Sequence, residues 1–229
     1  MSYCIAIDGP AASGKSTIAR RVAEKLNIAY INTGSLYRAV ALAANRAGRD
    51  LASLDRGFLD TLKLEYVKSG SGSYELKLNG EFPGAALRTA EVAAGASCVA
   101  TQPVVRDYLL GVQRGFAGGQ LVVMEGRDIG TVIFPDAVVK IFLTASPEER
   151  ARRRLAQDGE MPDGATLAEV AREIAARDKQ DSERAVAPLK PAPDAILVDT
   201  TGFSLDQAVE TITGLIARKL QESGTCITK

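Results

Sequence analysis

An apolar run, Tyr3-Cys4-Ile5-Ala6-Ile7, opens directly into Gly9-Pro10-Ala11-Ala12-Ser13-Gly14-Lys15-Ser16-Thr17, and residues 15–26 that follow have helical spacing. Strand, glycine-bounded loop and helix in immediate succession reproduce G-x-x-x-x-G-K-[ST], a phosphate-binding loop. The glycines let the backbone wrap so that its N–H groups face phosphate oxygens. A helix N-terminus adds partial positive charge at the same point. Lys15 is expected to reach the outer phosphates, and the Ser16 hydroxyl to ligate Mg²⁺.

The rest of the chain alternates in the same sense. Residues 28–31, 121–124, 138–144 and 195–198 read as further strands, and 35–47, 148–156, 166–185 and 205–220 as helices, the first of these ended by Gly48. Such alternation argues for an α/β fold, a parallel sheet with helices on both faces. Residues 62–82 break the pattern. Two alternating stretches flank Ser69-Gly70-Ser71-Gly72-Ser73, and an Asn79-Gly80 turn follows, which predicts a small antiparallel insert. With a helical segment at 89–100, this insert is expected to project as a substrate-side subdomain.

Composition narrows the chemistry. The chain has 229 residues, 46% of them hydrophobic, enough for one sizeable core with a small insert. It has no histidine, which removes Ser-His and Cys-His nucleophiles and His-ligated zinc. Phosphoryl transfer needs no imidazole, because positioning, Mg²⁺ and cations suffice. The 28 basic and 28 acidic residues cancel, so neither a nucleic-acid polymer nor an anionic membrane is expected as partner. No run of 18 apolar residues and no basic leader is seen, and Cys4, Cys98 and Cys226 lack metal-ligand spacing. A cytoplasmic monomer is the expectation.

The remaining charges gather in a few places. Glu125 ends the 121–124 strand and is followed by Gly126-Arg127-Asp128. Strand ends at one edge of a parallel sheet converge on the ligand crevice, so Glu125 is the candidate acid for Mg²⁺, acting through water. Arg38 lies one turn into the second helix and Arg106 follows Pro103. Arg150, Arg152, Arg153 and Arg154 share a short helix, with Gln157 and Gly159 beyond it. Arg177, Asp181 and Arg184 are spaced i, i+4, i+7, which places them on one helix face. Guanidinium forks match phosphates bidentately.

With these residues the chain resembles the bacterial cytidylate kinases, nucleoside monophosphate kinases of the P-loop group. The resemblance spans nearly the whole chain. It rests on Ile7-Asp8-Gly9-Pro10 with the phosphate loop, Asn32-Thr33-Gly34-Ser35-Leu36-Tyr37-Arg38, and Leu87-Arg88-Thr89. It rests further on Glu125-Gly126-Arg127-Asp128-Ile129-Gly130-Thr131-Val132-Ile133-Phe134-Pro135-Asp136-Ala137 and Arg184-Ala185-Val186-Ala187-Pro188-Leu189. It implies a single kinase domain over 1–229, an acceptor-binding region at 35–110 and a lid at 148–165. It also implies ATP on residues Gly9 to Thr17, with Arg153 and Arg154 near it, and CMP or dCMP as acceptor. Ser97, Arg106 and Asp128 fall where the family contacts the base, and Thr33, Tyr37 and Arg38 line the acceptor side. Arg38, Arg127 and Arg184 fall at the acceptor phosphate, and Arg177 and Asp181 at the sugar. Lys15, Arg127 and Arg154 are the catalytic candidates. Asn32 stands where the family often has Asp, so no catalytic role is expected of it.

Two other readings stay open on the residues alone. One is a kinase for another small acceptor such as UMP, AMP or shikimate, since base choice turns on a few hydrogen bonds. The other is a nucleotide-dependent switch. The chain lacks the Asn-Lys-x-Asp guanine motif, and Asp199-Thr200-Thr201-Gly202 matches a switch pattern only by coincidence of spacing.

Overall fold

A computed structural model describes residues 2–68, 74–156 and 164–224. The Ser/Gly turn at 69–73, the middle of the expected lid at 157–163 (with Gln157 and Gly159) and the tail at 225–229 lie outside the described residues. The chain divides into two compact units, Met1–Ile31 with Ala117–Lys229, and Asn32–Phe116.

The first unit is built on a five-stranded parallel sheet of order β2-β5-β1-β6-β7. Its strands are β1 (Ser2–Asp8), β2 (Ala29–Asn32), β5 (Val122–Gly126), β6 (Ala137–Thr144) and β7 (Ile196–Asp199). β1 carries Ile5 and Ile7 on one face and Cys4 and Ala6 on the other, and all four are fully buried. The sheet is therefore covered on both sides, as its continuous apolar strands require. On the isoleucine face, α1 (Lys15–Leu26) and α8 (Leu205–Glu222) pack Ile18, Val22, Ile212 and Ile216 against β1, β5 and β6.

Strand order reverses at β1, with the chain passing to β5 and β2 on one side and β6 and β7 on the other. In such sheets ligands bind beyond the strand ends at the reversal. Register puts Asp8 opposite Gly126, so the phosphate loop and the Gly126-Arg127-Asp128 turn leave the sheet side by side. That turn continues into one π-helical turn, Ile129–Ile133. Two helices after β6 complete the unit: α6 (Pro147–Leu155), begun by a Ser146 cap, and α7 (Leu167–Glu183), begun by a Thr166–Glu169 capping box.

The second unit contains α2 (Thr33–Arg46), α3 (Arg56–Asp60), α4 (Ala90–Val99) and α5 (Pro103–Phe116), with the antiparallel pair β3 (Leu64–Lys68) and β4 (Tyr74–Leu78). The hairpin insert is as expected. Its Asn79-Gly80 turn has positive φ at both residues, 51° and 86°, and Leu78 and Glu81 exchange both backbone hydrogen bonds across it. One core joins α2, α3, α4, α5 and the hairpin through Leu36, Val40, Leu59, Leu64, Leu76, Val99 and Leu109.

Three expectations need correction. α2 starts at Thr33 rather than Ser35, because the Asn32 side chain caps it by accepting from Ser35 N–H at 3.0 Å. The helix expected at 166–185 stops at Glu183. Arg184 is extended (φ −61°, ψ 140°), and Leu189 N–H closes the last turn on Asp181 O, so Arg184 does not continue the helix face of Arg177 and Asp181. Finally, α5 was not expected as a helix, although Arg106 lies on it.

Candidate active site

Gly9 begins the phosphate loop because nothing else fits. A Cβ there would lie 2.1 Å from the carbonyl oxygen of Leu143 on β6. Gly14, at φ 86°, then turns the chain into α1. Lys15 sits at the first position of α1 and is buried. Its Nζ folds back to donate to Pro10 O at 2.9 Å. Burial lowers its pKa to about 7, and Arg127 and Arg177 push the same way while Glu125 and Asp181 oppose them. Arg127, Glu125, Arg177 and Asp181 therefore share one electrostatic field with the loop lysine.

Ser16 Oγ donates to Glu125 Oε1 at 2.7 Å, and Tyr30 OH donates to the same oxygen at 3.3 Å. A hydroxyl and a carboxylate, both hard oxygen donors, meet at the mouth of the loop. Mg²⁺ commonly takes one or two such protein ligands and completes its shell with water and substrate phosphates. Among the described residues no three or more His, Cys, Asp or Glu gather to hold a metal, here or elsewhere. The donor set thus fits a phosphate-bound Mg²⁺.

The arginines beyond β5 and α7 are held by acids. Arg127 Nε donates to Asp181 Oδ2 at 2.8 Å. Arg184 lies 3.6 Å from Asp128 Oδ1 and 3.9 Å from Asp181 Oδ1, and its Nε donates to Ala187 O. Arg184 thereby rejoins the group from beyond the helix end. These four side chains are largely buried, and their two cations and two carboxylates balance one another.

Arg153, on the last turn of α6, donates to Ser13 O at 3.1 Å and to Thr200 Oγ1 and O at 3.0 and 2.8 Å. It fixes the loop to the Asp199–Gly202 turn, which also folds on itself through Asp199 Oδ1 and Thr201 N–H. Arg154 lies on the same turn of α6. The Ser13 hydroxyl is buried and has no hydrogen-bond partner among the described residues.

The second unit gathers its own set. Thr33, Tyr37 and Arg38 lie on the first turns of α2, Ser97 on α4 and Arg106 on α5. Arg38 Nη1 donates to Leu87 O at 3.1 Å. Arg106 is buried, donates to Ala100 O at 3.3 Å and stacks 5.8 Å over the Tyr37 ring. The Ser97 hydroxyl points to Ala93 O at 3.4 Å.

Three side chains that hold the loop or the turn beside it, Asp8, Asp178 and Arg150, have no role in the sequence analysis, although Asp8 and Arg150 lie in stretches it names. Asp8, at the end of β1, accepts from Ile129 and Gly130 N–H at 2.9 and 2.8 Å and fixes the turn that follows Asp128. Burial raises its pKa to about 7 against the lowering effect of those two bonds. A carboxylate ending an apolar strand was the available signal. Asp178 accepts from Ala11 N–H at 2.9 Å, and Arg150 donates to Ala11 O at 3.1 Å. One loop N–H therefore turns to Asp178 rather than inward, contrary to the simple cradle.

A protein-family model described as cytidylate kinase matches residues 5–218. The chain is 44% identical over 216 residues to a protein named cytidylate kinase from Fervidobacterium nodosum, covering 94% of this chain and 96% of that one. It is 46% identical over 218 residues to one from Pseudomonas syringae pv. tomato (93% and 94% covered) and 43% over 223 residues to one from Thermotoga maritima (96% and 99%). An uncharacterized protein from Eubacterium ventriosum shares the fold, with a TM-score of 0.53 at 14% identity over 93% of this chain and 98% of that one.

Proposed function

The chain belongs to the cytidylate kinase family, and on that premise we infer how its residues divide the work of phosphorylating a nucleoside monophosphate. It is a kinase that moves the γ-phosphoryl group of ATP to CMP or dCMP. The observation that carries the division of labour is the shared field of Lys15, Arg127, Arg177, Glu125 and Asp181 at the loop.

In this reading residues Gly9 to Thr17 cradle the ATP phosphates, with Arg153 and Arg154 beside them at a lid over 148–165. Mg²⁺, held by Ser16 Oγ and through water by Glu125, neutralises phosphate charge when bound. Arg127 and Arg184 are assigned to the acceptor phosphate, and so is Arg38 of the second unit. Arg177 and Asp181 take the sugar, with Asp181 accepting from a ribose hydroxyl. Ser97, Arg106 and Asp128 read the base, and Thr33 and Tyr37 line the acceptor region at 35–110, with the 62–82 hairpin as its insert. The working unit is one chain, and its substrates are the two nucleotides rather than a nucleic-acid polymer or a membrane.

The acceptor phosphate is already an anion near neutral pH, so no strong general base is needed. The work lies in aligning two polyanions in line and offsetting their repulsion. Lys15 and Arg154 take charge from the equatorial oxygens of the group in transit, where fixed cations act most strongly. A coupled assay offering CMP, dCMP, UMP and AMP tests the assignment. Turnover highest with CMP or dCMP is expected, and faster phosphorylation of UMP or AMP would move the base-reading residues to another acceptor. GTP preference with slow hydrolysis and no acceptor turnover would instead revive the switch.

A further inference from the structure

The division of labour above gives no role to the links between the phosphate loop and the two helices after β6. Ala11 is held at both ends of its backbone. Its N–H donates to Asp178 Oδ1 at 2.9 Å and its carbonyl accepts from Arg150 Nη1 at 3.1 Å. Arg150 and Asp178 are themselves paired, and Arg150 Nε is anchored on Ala145 O at 3.2 Å. The Ala11 methyl shares a small core with Ala151 of α6 and Val170 and Ile174 of α7. The outer limb of the loop cannot shift without either carrying α6 and α7 along or breaking charge-assisted hydrogen bonds.

Helix α7 carries more than this clamp. Arg177 immediately precedes Asp178, and Asp181 lies about one helical turn later. Asp181 in turn grips Arg127 at 2.8 Å and faces Arg184 at 3.9 Å. A continuous series of contacts thus runs from Ala11 N–H through Asp178 and one turn of α7 to Asp181 and Arg127.

The geometry points to Asp178 as a positioning residue that couples the two nucleotide sites. It reports triphosphate occupancy of the loop to the Arg177–Asp181–Arg127 set. The inference rests on the assignment of that set to the acceptor. Because coupling between binding equilibria is reciprocal, ATP tightens CMP by the factor by which CMP tightens ATP.

Calorimetric titration of CMP, alone and with a saturating non-hydrolysable ATP analogue plus Mg²⁺, reads that factor. The wild type should bind CMP at least about fivefold tighter with the analogue present. Lys179→Ala, at an exposed neighbour on α7, should keep the factor. Asp178→Ala, which removes the acceptor for Ala11 N–H, should reduce it to less than about twofold, with affinity for CMP alone within about threefold of wild type. Asp178→Leu combined with Arg150→Met removes both charges together, leaves no buried charge unpaired and should show the same loss if the single variant fails to fold. An unchanged factor in these variants, or no factor in the wild type, overturns the coupling. Wild-type protein that binds and phosphorylates CMP without any factor sinks the coupling alone; wild-type protein that binds no CMP sinks the functional assignment with it.

Discussion

The phosphate loop and the turn after β5 leave neighbouring strands at paired residues, yet their buried charges are satisfied in opposite ways. The β5 turn is fixed by Asp8, an anion whose two N–H donors are built into the fold at Ile129 and Gly130. The loop carries Lys15, a cation resting on the single carbonyl of Pro10. Burial pushes both groups to about 7, the acid upward and the lysine downward. The difference separates scaffold from site. A buried charge whose partners are backbone groups of the fold holds that backbone in place. A buried charge short of partners stores a preference for a ligand of opposite sign.

The comparison breaks most visibly at Lys15. Lys15→Met should lower turnover by about a thousandfold, because the cation proposed to stabilise the transferred group is removed while burial favours the apolar side chain. Unfolding followed by circular dichroism should show the fold retained. Turnover within tenfold of wild type would remove Lys15 from the chemistry.

Asp8 gives the next largest effect, on stability. Its folded pKa lies above its unfolded value, so it contributes stability that is fully present below about pH 4 and is lost as pH rises through about 7. Asp8→Asn removes that slope. Denaturant unfolding of both proteins between pH 4 and 8 should show their difference changing by on the order of a few kcal/mol. A constant difference would mean that Asp8 titrates alike in the folded and unfolded chain.

Arg184→Ala addresses the site proper. Loss of the charge-assisted contact proposed between Arg184 and the acceptor phosphate should raise KM for CMP by about tenfold to a hundredfold and KM for ATP by less than about threefold. Equal effects on both nucleotides would take Arg184 out of the acceptor site. The smallest effect sharpens the comparison at its origin. With its pKa near 7, Lys15 is largely uncharged at pH 8 in the free protein, and phosphate oxygens should restore its charge. ATP binding at pH 8 should then take up close to one proton (about one per site), read calorimetrically in buffers of different ionisation enthalpy. No proton uptake would show that Lys15 is charged before the nucleotide arrives.

Local chemistry made much of this molecule legible. α1 runs over 15–26 as expected, because a left-handed glycine before it and a left-handed Asn27 after it punctuate an amphipathic segment. The hairpin was legible through period-two alternation and the Asn79-Gly80 turn. α5 was missed although Pro103 marks its start, since Gly111 and Gly115 interrupt the helical composition. Arg184 was placed on a helix because charge spacing continues past Glu183, whereas the Leu189–Asp181 hydrogen bond that ends the helix comes from farther along the chain. The same reason hides Asp178 and Arg150. Their partner Ala11 lies 167 and 139 residues away, and no local pattern encodes a contact that only the assembled α6, α7 and loop create.

The most direct measurement is a phosphorus NMR time course of the purified protein with ATP, Mg²⁺ and CMP. Matched growth of ADP and CDP, with no inorganic phosphate, is the predicted result. ADP accumulating with inorganic phosphate while CMP stays intact would contradict transfer between two nucleotides and leave only a nucleotide hydrolase.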